Sequence, residues 1–459
     1  MAVGRENGVY ANGGLDGDDQ RIRYIPLAYD SASSEESALD LVLSVRPDWK
    51  APGANVEFVR FTDGITNTLL KAVNKRAGLS KSEIDQEAIL LRAYGHGTDL
   101  IIDRHRETQN HELLMRNGLA PELLARFENG MMYRFVQGAV TLPEDLRKPD
   151  IYKAVARRLA EWHAVVPCLS ARTGHSRKNS RVDGLTPLAL DSNLGDAEFQ
   201  QALDGVAPGK PPPNVWTVMQ KWIFALPTDT EAQRARQASL QQDLRTLVSE
   251  LSQRPGLGAN GVSYSGPYEL FLANTMLTVL PQLVFAHCDL LSGNVIVLPR
   301  TQVTGVGKAE PTVTFIDYEY ATPSPAAFDL ANHFAEWGGF DCDFSVLPTR
   351  AQRREFIAEY IESYFSLLEK RGSGAGAVDR DAEVEKLLEE VDVFRGVPGF
   401  YWGIWALIQA TISEIDFDYA SYAETRLGEY SAWRAETSGE RQRSGKEMPL
   451  RERRWAQEE

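Results

Sequence analysis

His287-Cys288-Asp289-Leu290-Leu291-Ser292-Gly293-Asn294, followed after one loop by Phe315-Ile316-Asp317-Tyr318-Glu319-Tyr320, is the stretch that decides the fold. His-x-Asp-x-x-x-x-Asn is the spacing with which kinase catalytic loops set a carboxylate beside an attacking hydroxyl and an amide beside a metal ion. Asn294-Val295-Ile296-Val297 and Thr312-Val313-Thr314-Phe315-Ile316 read as the two strands of a hairpin. Asp317 then closes the second strand and converges with Asn294 on one cluster. A His-x-Asp in a turn can also just cap backbone groups. Capping alone does not call for the added Asn and the strand-borne Asp.

The residue types match the chemistry. Magnesium prefers oxygen ligands and keeps several waters, so the amide of Asn294, the carboxylate of Asp317 and nucleotide phosphates suffice without an all-protein cage. Asp289 is placed to orient a substrate hydroxyl and accept its proton, in a reaction driven mostly by positioning and electrostatics. His287, counted with Asp289 in the catalytic loop, braces it.

Val284-Phe285-Ala286 through Asn294, the run Ile316 to Ala321, and Phe328-Asp329-Leu330-Ala331-Asn332-His333-Phe334-Ala335-Glu336-Trp337 together resemble the choline/ethanolamine kinase family. Ile89-Leu90-Leu91-Arg92-Ala93-Tyr94-Gly95 and Gly118-Leu119-Ala120-Pro121 extend the resemblance, which spans about Phe58 to Tyr430. It implies an α+β, two-lobed protein-kinase-like fold of the aminoglycoside phosphotransferase/choline kinase type, with a small antiparallel-sheet lobe and a mainly helical lobe. It also implies a kinase using ATP with Mg2+ and feeding phospholipid synthesis. Two departures stand out: Cys288 where many members carry Asn, and Gly338 to Phe344 where a Tyr-rich stretch is usual. Leu290-Leu291-Ser292 looks closer to ethanolamine kinases than to choline kinases, so ethanolamine is the expected substrate, with choline or an aminoglycoside-like acceptor as alternatives.

The chain has 459 residues, more than one core usually serves, so two domains are expected. Its 43% hydrophobic and 25% charged residues are those of a globular protein. No apolar run is long enough to span a bilayer, and the Gly-, Asn- and Asp-rich start lacks a signal-peptide pattern. Three cysteines without a CxxC argue against a disulfide framework or zinc ribbon, and a reducing cytoplasm fits. A net charge of −15 disfavours nucleic acid and anionic lipid as partners. ATP and the small amine are the partners expected, and a homodimer is left open.

The division expected is a disordered tail over 1–20, a nucleotide-binding lobe over 21–137 and a catalytic, amine-binding lobe over 138–459. Val56 to Phe61, Asn67 to Val73 and Ala88 to Ala93 read as strands of an antiparallel sheet. The Thr62–Asn67 turn, with Gly64 and Asn67, could lie over nucleotide phosphates, or be an ordinary hairpin turn. Arg92 takes the place of the kinase lysine, and the resemblance implies contact with ATP. Glu107, on a helix from Asp103 to Arg116, is the residue to pair with it; a solvated helix charge is the plain alternative. Gln137-Gly138 reads as a hinge. Polar residues 170–183, Lys210-Pro211-Pro212-Pro213, Gly305-Val306-Gly307-Lys308 and the Gly-rich 372–377 read as loops and insertions; neither Gly-rich stretch is a phosphate-binding motif.

At the substrate end, Tyr401-Trp402-Gly403-Ile404-Trp405 opens an apolar helix ending near Ser413. Two Trp residues three apart share a helix surface and could wall an alkylammonium ion, or be core. The resemblance assigns the pair to the amine pocket, with Glu336 and Trp337 close by. Ethanolamine's ammonium has three donors and calls for carboxylates, for which Glu336, Asp341 and Asp343 are the candidates; acids in a loop are otherwise solvated. No Asp-Phe-Gly is present to pair with an Ala-Pro-Glu and mark a peptide-kinase activation segment. A catalytically silent binding protein would be marked by loss of Asp289, Asn294 or Asp317, and all three are present.

Overall fold

The computed structural model describes residues 22–61, 67–95, 97–167, 214–251, 254, 268–272, 275–279, 283–299, 310–371, 378–413 and 415–459. The amino-terminal tail, the turn with Gly64, the loop 170–183, the Pro run 211–213, the segment 305–308 and the linker 372–377 lie outside them, as does Cys168.

Two compact units form. The first comprises residues 1–62, 68–93 and 123–135. Its six-stranded sheet has the order β1-β5-β6-β4-β3-β2, from β1 (Tyr24–Ile25), β2 (Val56–Phe61), β3 (Asn67–Asn74), β4 (Ile89–Tyr94), β5 (Leu123–Phe127) and β6 (Gly130–Arg134). β1 runs parallel to β5, while β2–β3, β4–β6 and β5–β6 are antiparallel. The expected strands are therefore in place. Helix α1 (Ser34–Val45) buries Ala38, Leu41 and Val42, at i, i+3 and i+4, in the core with Leu70, Ile89, Leu91 and Phe127. Helix α2 (Lys81–Glu87) starts at a capping box in which Ser80 and Glu83 satisfy each other's backbone N–H groups.

The second unit comprises 63–67, 94–122 and 136–459. Residues 94–122, with helix α3 (Arg104–Arg116), group here, whereas the sequence division put them with the first lobe. The reason is local: Asn110 donates to Ala321 O at 2.8 Å, and Ile101 O accepts from Trp222 Nε1 at 3.1 Å. Strand β7 (Ala139–Val140) then leads to helix α4 (Pro149–Val165), α5 (Val215–Ala225) and α6 (Glu231–Leu251). A hairpin of β8 (Tyr268–Leu272) and β9 (Thr275–Val279) precedes β10 (Val284–Ala286), β11 (Val295–Val297), β12 (Val313–Phe315) and β13 (Thr322–Ser324). The helices α7 (Ala326–Ala335), α8 (Arg350–Lys370), α9 (Arg380–Phe394), α10 (Val397–Ile412), α11 (Tyr419–Thr437), α12 (Glu440–Arg443) and α13 (Leu450–Ala456) complete the chain.

α10 begins four residues before the expected Tyr401, because Pro398 suits a first helical turn. It is buried almost all round, and glycines let it lie against α11. A Cβ on Gly399 would stand 2.6 Å from Arg426 O, and one on Gly403 2.7 Å from Leu427 Cγ. Gly138, read as a hinge, is held against β11: its φ is +154° and an added Cβ would meet Val297 O at 2.5 Å. Among the described residues no helix is long and apolar enough to cross a membrane.

Candidate active site

β11 and β12 pair antiparallel, with Val295 opposite Phe315 and Val297 opposite Val313, and Ile316 N–H donates to Asn294 O at 3.0 Å. The hairpin read from the sequence is thus closed just before Asp317. β7 adds a third strand, where Thr141 donates to Ser292 O at 2.8 Å and steadies the turn before Asn294. Asn294 Nδ2 donates to Asp289 O at 2.8 Å and to Asp289 Oδ2 at 3.1 Å. That leaves Oδ1 as the amide's acceptor, without a hydrogen-bond partner among the described residues.

Helix α7 holds the loop from behind. Asp329 accepts from His287 N–H at 2.9 Å and Cys288 N–H at 2.8 Å; Asn332 Nδ2 donates to Cys288 O, and His333 Nδ1 pairs with Leu290 O, both at 2.8 Å. Spacing of i, i+3 and i+4 puts these three side chains on one helix face. They over-determine the strained backbone of Cys288, whose φ is +63°, a region that side chains other than Gly seldom adopt; Asp317, with φ +64°, lies in the same region. His163 Nε2, 3.0 Å from Asp329 Oδ2, adds a third donor and is fixed in turn by Tyr360 OH. Burial raises the Asp329 carboxyl, but His163 and the backbone N–H of Cys288 outweigh it and leave it below its ordinary value.

His287 spends both ring nitrogens on the backbone. Its Nε2 faces Ile316 O at 3.1 Å and its Nδ1 faces Asp289 N–H at 3.3 Å, while Trp162 packs against the ring. Burial pushes its pKa down to about 4, so it stays neutral. It joins the loop to the strand end through both ring nitrogens.

Asp289 sits well above the usual carboxylate range. Burial is the main cause, followed by the charges of Asp317, Glu336 and Glu319; the Asn294 hydrogen bond opposes them. A buried cluster of like charges is stabilised by a cation. Among the described residues no group of three or more His, Cys, Asp or Glu is arranged to hold a metal unaided. The donors present are oxygens, and few, which fits magnesium completing its shell with water and phosphate.

Of the residues expected at ATP, Arg92 is buried in β4 of the first unit. Glu107 is buried on α3 and takes a 2.9 Å bond from Arg104 Nη1, which also reaches Glu319 at 3.2 Å. Asn67 Nδ2 donates to the same Glu319 oxygen at 3.1 Å. Arg104 and Glu319, given no role from the sequence, therefore tie Asn67 and Glu107 to the strand end that carries Asp317.

Of the residues expected at the amine, Trp402 meets Tyr320 and Trp405 edge to face, with centroids 5.6 Å apart for Tyr320–Trp402 and 5.5 Å for the Trp pair. Trp405 Nε1 donates to Tyr320 OH and Trp402 Nε1 to Asn332 Oδ1, both at 2.8 Å. Tyr401 turns into the core against Trp222 and Phe328. Glu336 is buried and ion-paired to Arg426 at 3.2 Å. Trp337 packs among Tyr152, His333 and Phe334 with 1% of its surface exposed. Asp341 and Asp343 are exposed, and Asp343 caps the N–H of Ser345. The structure brings Glu336 toward Asp289 and leaves the two aspartates solvated.

The sequence profile of choline/ethanolamine kinases matches residues 58–431. The chain belongs to that family. A probable ethanolamine kinase of Nematostella vectensis is 31% identical over 82% of this chain and 87% of its own, and mouse ethanolamine kinase 1 is 28% identical over 88% and 90%. Among solved structures, Plasmodium vivax ethanolamine kinase (TM-score 0.58, 23% identity, 88% of this chain and 89% of its own) shares the fold. So does the Cryptosporidium parvum choline kinase (TM-score 0.56, 19% identity, 88% and 97%).

Seen as a choline/ethanolamine kinase, the chain keeps its catalytic loop unchanged in plan by the Cys288 departure. The Cys288 side chain is buried beside Ser324 Oγ at 3.4 Å, and its main chain does the holding. Asp329, Asn332 and His163 were missed as site residues. Their signal is polar residues within apolar helices, and α7 in particular is buried at every position.

Proposed function

We propose that this protein is an ATP-dependent kinase that phosphorylates the hydroxyl of ethanolamine to phosphoethanolamine, the first step of phosphatidylethanolamine synthesis. The observation that carries the reading is the joined pair Asp289–Asn294, pinned by α7 with Asp317 at the adjacent strand end, in a chain whose relatives bear the name ethanolamine kinase. Asp289 accepts a hydrogen bond from the substrate hydroxyl and takes its proton as the oxygen attacks the γ-phosphorus. Its raised affinity for a proton suits that role. Asn294 and Asp317 are the residues to hold Mg2+, which when bound supplies charge neutralisation at the phosphate oxygens. Arg92, with Glu107, Asn67 and the turn bearing Gly64, is the reading for ATP. Glu336 and the Tyr320–Trp402–Trp405 wall receive the ammonium group. A cytoplasmic location completes the reading, in keeping with the free thiols of Cys288 and Cys342.

Choline is the second reading, favoured by the aromatic wall, since a quaternary ammonium has no donors and binds ring faces. ADP release with ATP and Mg2+, followed with ethanolamine and with choline, separates them. A higher kcat/KM for ethanolamine is expected. A preference for choline moves the assignment to that amine, and no ADP above the blank with either overturns it.

A further inference from the structure

Glu336 is the buried acid assigned to the ammonium group above, and what fixes it reaches to the end of the chain. Arg426 Nη2 lies 3.2 Å from Glu336 Oε1, and Arg426 Nε lies 3.3 Å from Glu429 Oε1, three residues along α11. Glu429 Oε2 accepts from Arg451 Nε at 3.0 Å, and Arg451 Nη1 donates to Glu452 Oε1 at 3.0 Å. Glu452 Oε2 in turn accepts from Arg395 at 2.9 Å, immediately before α10 and its two Trp residues. Arg451 also donates to Arg395 O. Three acids and three bases alternate along this path, and every member except Arg395 is buried. Breaking one link in such a buried chain leaves its neighbour's charge uncompensated.

Arg451 and Glu452 belong to α13, beyond residue 431 where the family match stops. α13 is docked, not trailing. Trp455 Nε1 donates to Asp392 at 2.7 Å beneath the guanidinium of Arg353, and Arg350 N–H and Ala351 N–H donate to Gln457 O and Glu458 O. Arg426 is therefore shared between two carboxylates, Glu336 and Glu429. Arg451 satisfies the second of them and leaves Arg426 to the first. Glu336 is thereby held by one oxygen, Oε1, while Oε2 takes no hydrogen bond among the described residues.

We propose that Arg451 is a positioning residue for amine recognition, acting through Glu429 and Arg426 to fix the Glu336 carboxylate, so that the segment after the family-matched region tunes selectivity for a primary ammonium. The proposal rests on the ethanolamine reading above. Without Arg451, Glu429 draws Arg426 toward itself and Glu336 loses its anchor. A substrate with N–H donors depends on that anchor, and a trimethylammonium group held by ring faces depends on it less.

The test compares R451M, R451K, E336Q and R451M/E336Q in the full-length protein by steady-state kinetics with ethanolamine, choline and ATP. R451M is expected to raise the ethanolamine KM roughly tenfold and to lower the ethanolamine-to-choline ratio of kcat/KM, with the ATP KM within about twofold and partial rescue by R451K. In the E336Q background the R451M effect should shrink below about twofold, which a merely structural loss would not do. Penalties that multiply in the double variant, or a fall in kcat alike for both amines, overturn the proposal. If R451M fails to fold, R451Q, which removes the charge but keeps a polar side chain beside Glu429, carries the test. In that variant an unchanged amine KM and selectivity overturn the proposal, and a shift in both supports it. Absence of wild-type turnover of ethanolamine overturns the functional reading and this proposal together, whereas wild-type turnover with unaltered variants overturns this one alone.

Discussion

At the scale of single residues, Asp289 and Trp405 give the sharpest expectations. Asp289→Asn keeps size and hydrogen bonding but removes the proton acceptor, so kcat should fall by roughly a hundred- to ten-thousandfold, the usual worth of general base catalysis. Circular dichroism and the ATP KM should stay near wild type; a kcat within a few-fold would remove Asp289 as the base. Trp405 contributes both a ring face and an N–H to Tyr320. Trp405→Phe keeps an apolar ring while dropping that hydrogen bond, and a rise of about three- to tenfold in the amine KM is expected, in line with a net loss near 1 kcal/mol. If only thermal stability drops, with the amine KM unchanged, Trp405 belongs to the core and not to the pocket.

At the scale of elements, α7 governs the catalytic loop more than the loop's own residues do. Asn332→Ala removes the donor to Cys288 O and the acceptor for Trp402 Nε1, leaving two buried groups unpaired. A stability loss of about 2–4 kcal/mol is expected, with kcat reduced and both KM values changed less than about threefold, because the strained φ of Cys288 then has less to hold it. An Asn332→Ala enzyme with wild-type kcat would show that the strain is held elsewhere. This element also marks where sequence reading stops. β2, β3, β4 and the β11–β12 hairpin were legible because alternation and turn residues are local, and the loop's spacing displays its chemistry directly. The partnership of Asp329 with residues 287 and 288 was not, since it joins positions about forty apart through a fold the sequence does not display. The same holds for Arg104 with Glu319, and for α3, whose amphipathic pattern could not say which unit it would join. Trp337 lies enclosed by aromatic neighbours and Asp341 lies in water, surroundings that sequence spacing does not display.

At the scale of the whole molecule, the catalytic centre carries buried histidines that tie stability to pH. His333 is fully buried, gives Nδ1 to Leu290 O and receives Trp337 N–H at Nε2 at 3.4 Å, an arrangement only the neutral ring can make. Burial pushes its pKa down to about 4, as it does for His287. The unfolded chain binds a proton at each near 6.5. Between those values the unfolded state holds more protons than the folded one, so stability rises with pH there. The contribution is complete above pH 6.5 and is lost as pH falls toward about 4, by roughly 3 kcal/mol for each ring at most. The buried carboxyls of Asp289 and Glu336, both raised chiefly by burial, make an opposing contribution, which weakens the fold as pH rises from their ordinary range through their folded values. The two histidines outweigh it if acid lowers the midpoint of unfolding. His333→Asn supplies an amide donor where Nδ1 stood and cannot titrate. The drop in Tm between pH 6.5 and 4, followed by tryptophan fluorescence, should shrink by about half of the two-histidine effect in this variant. An identical pH profile in wild type and His333→Asn would assign the acid sensitivity to other groups and leave His333 a packing residue alone.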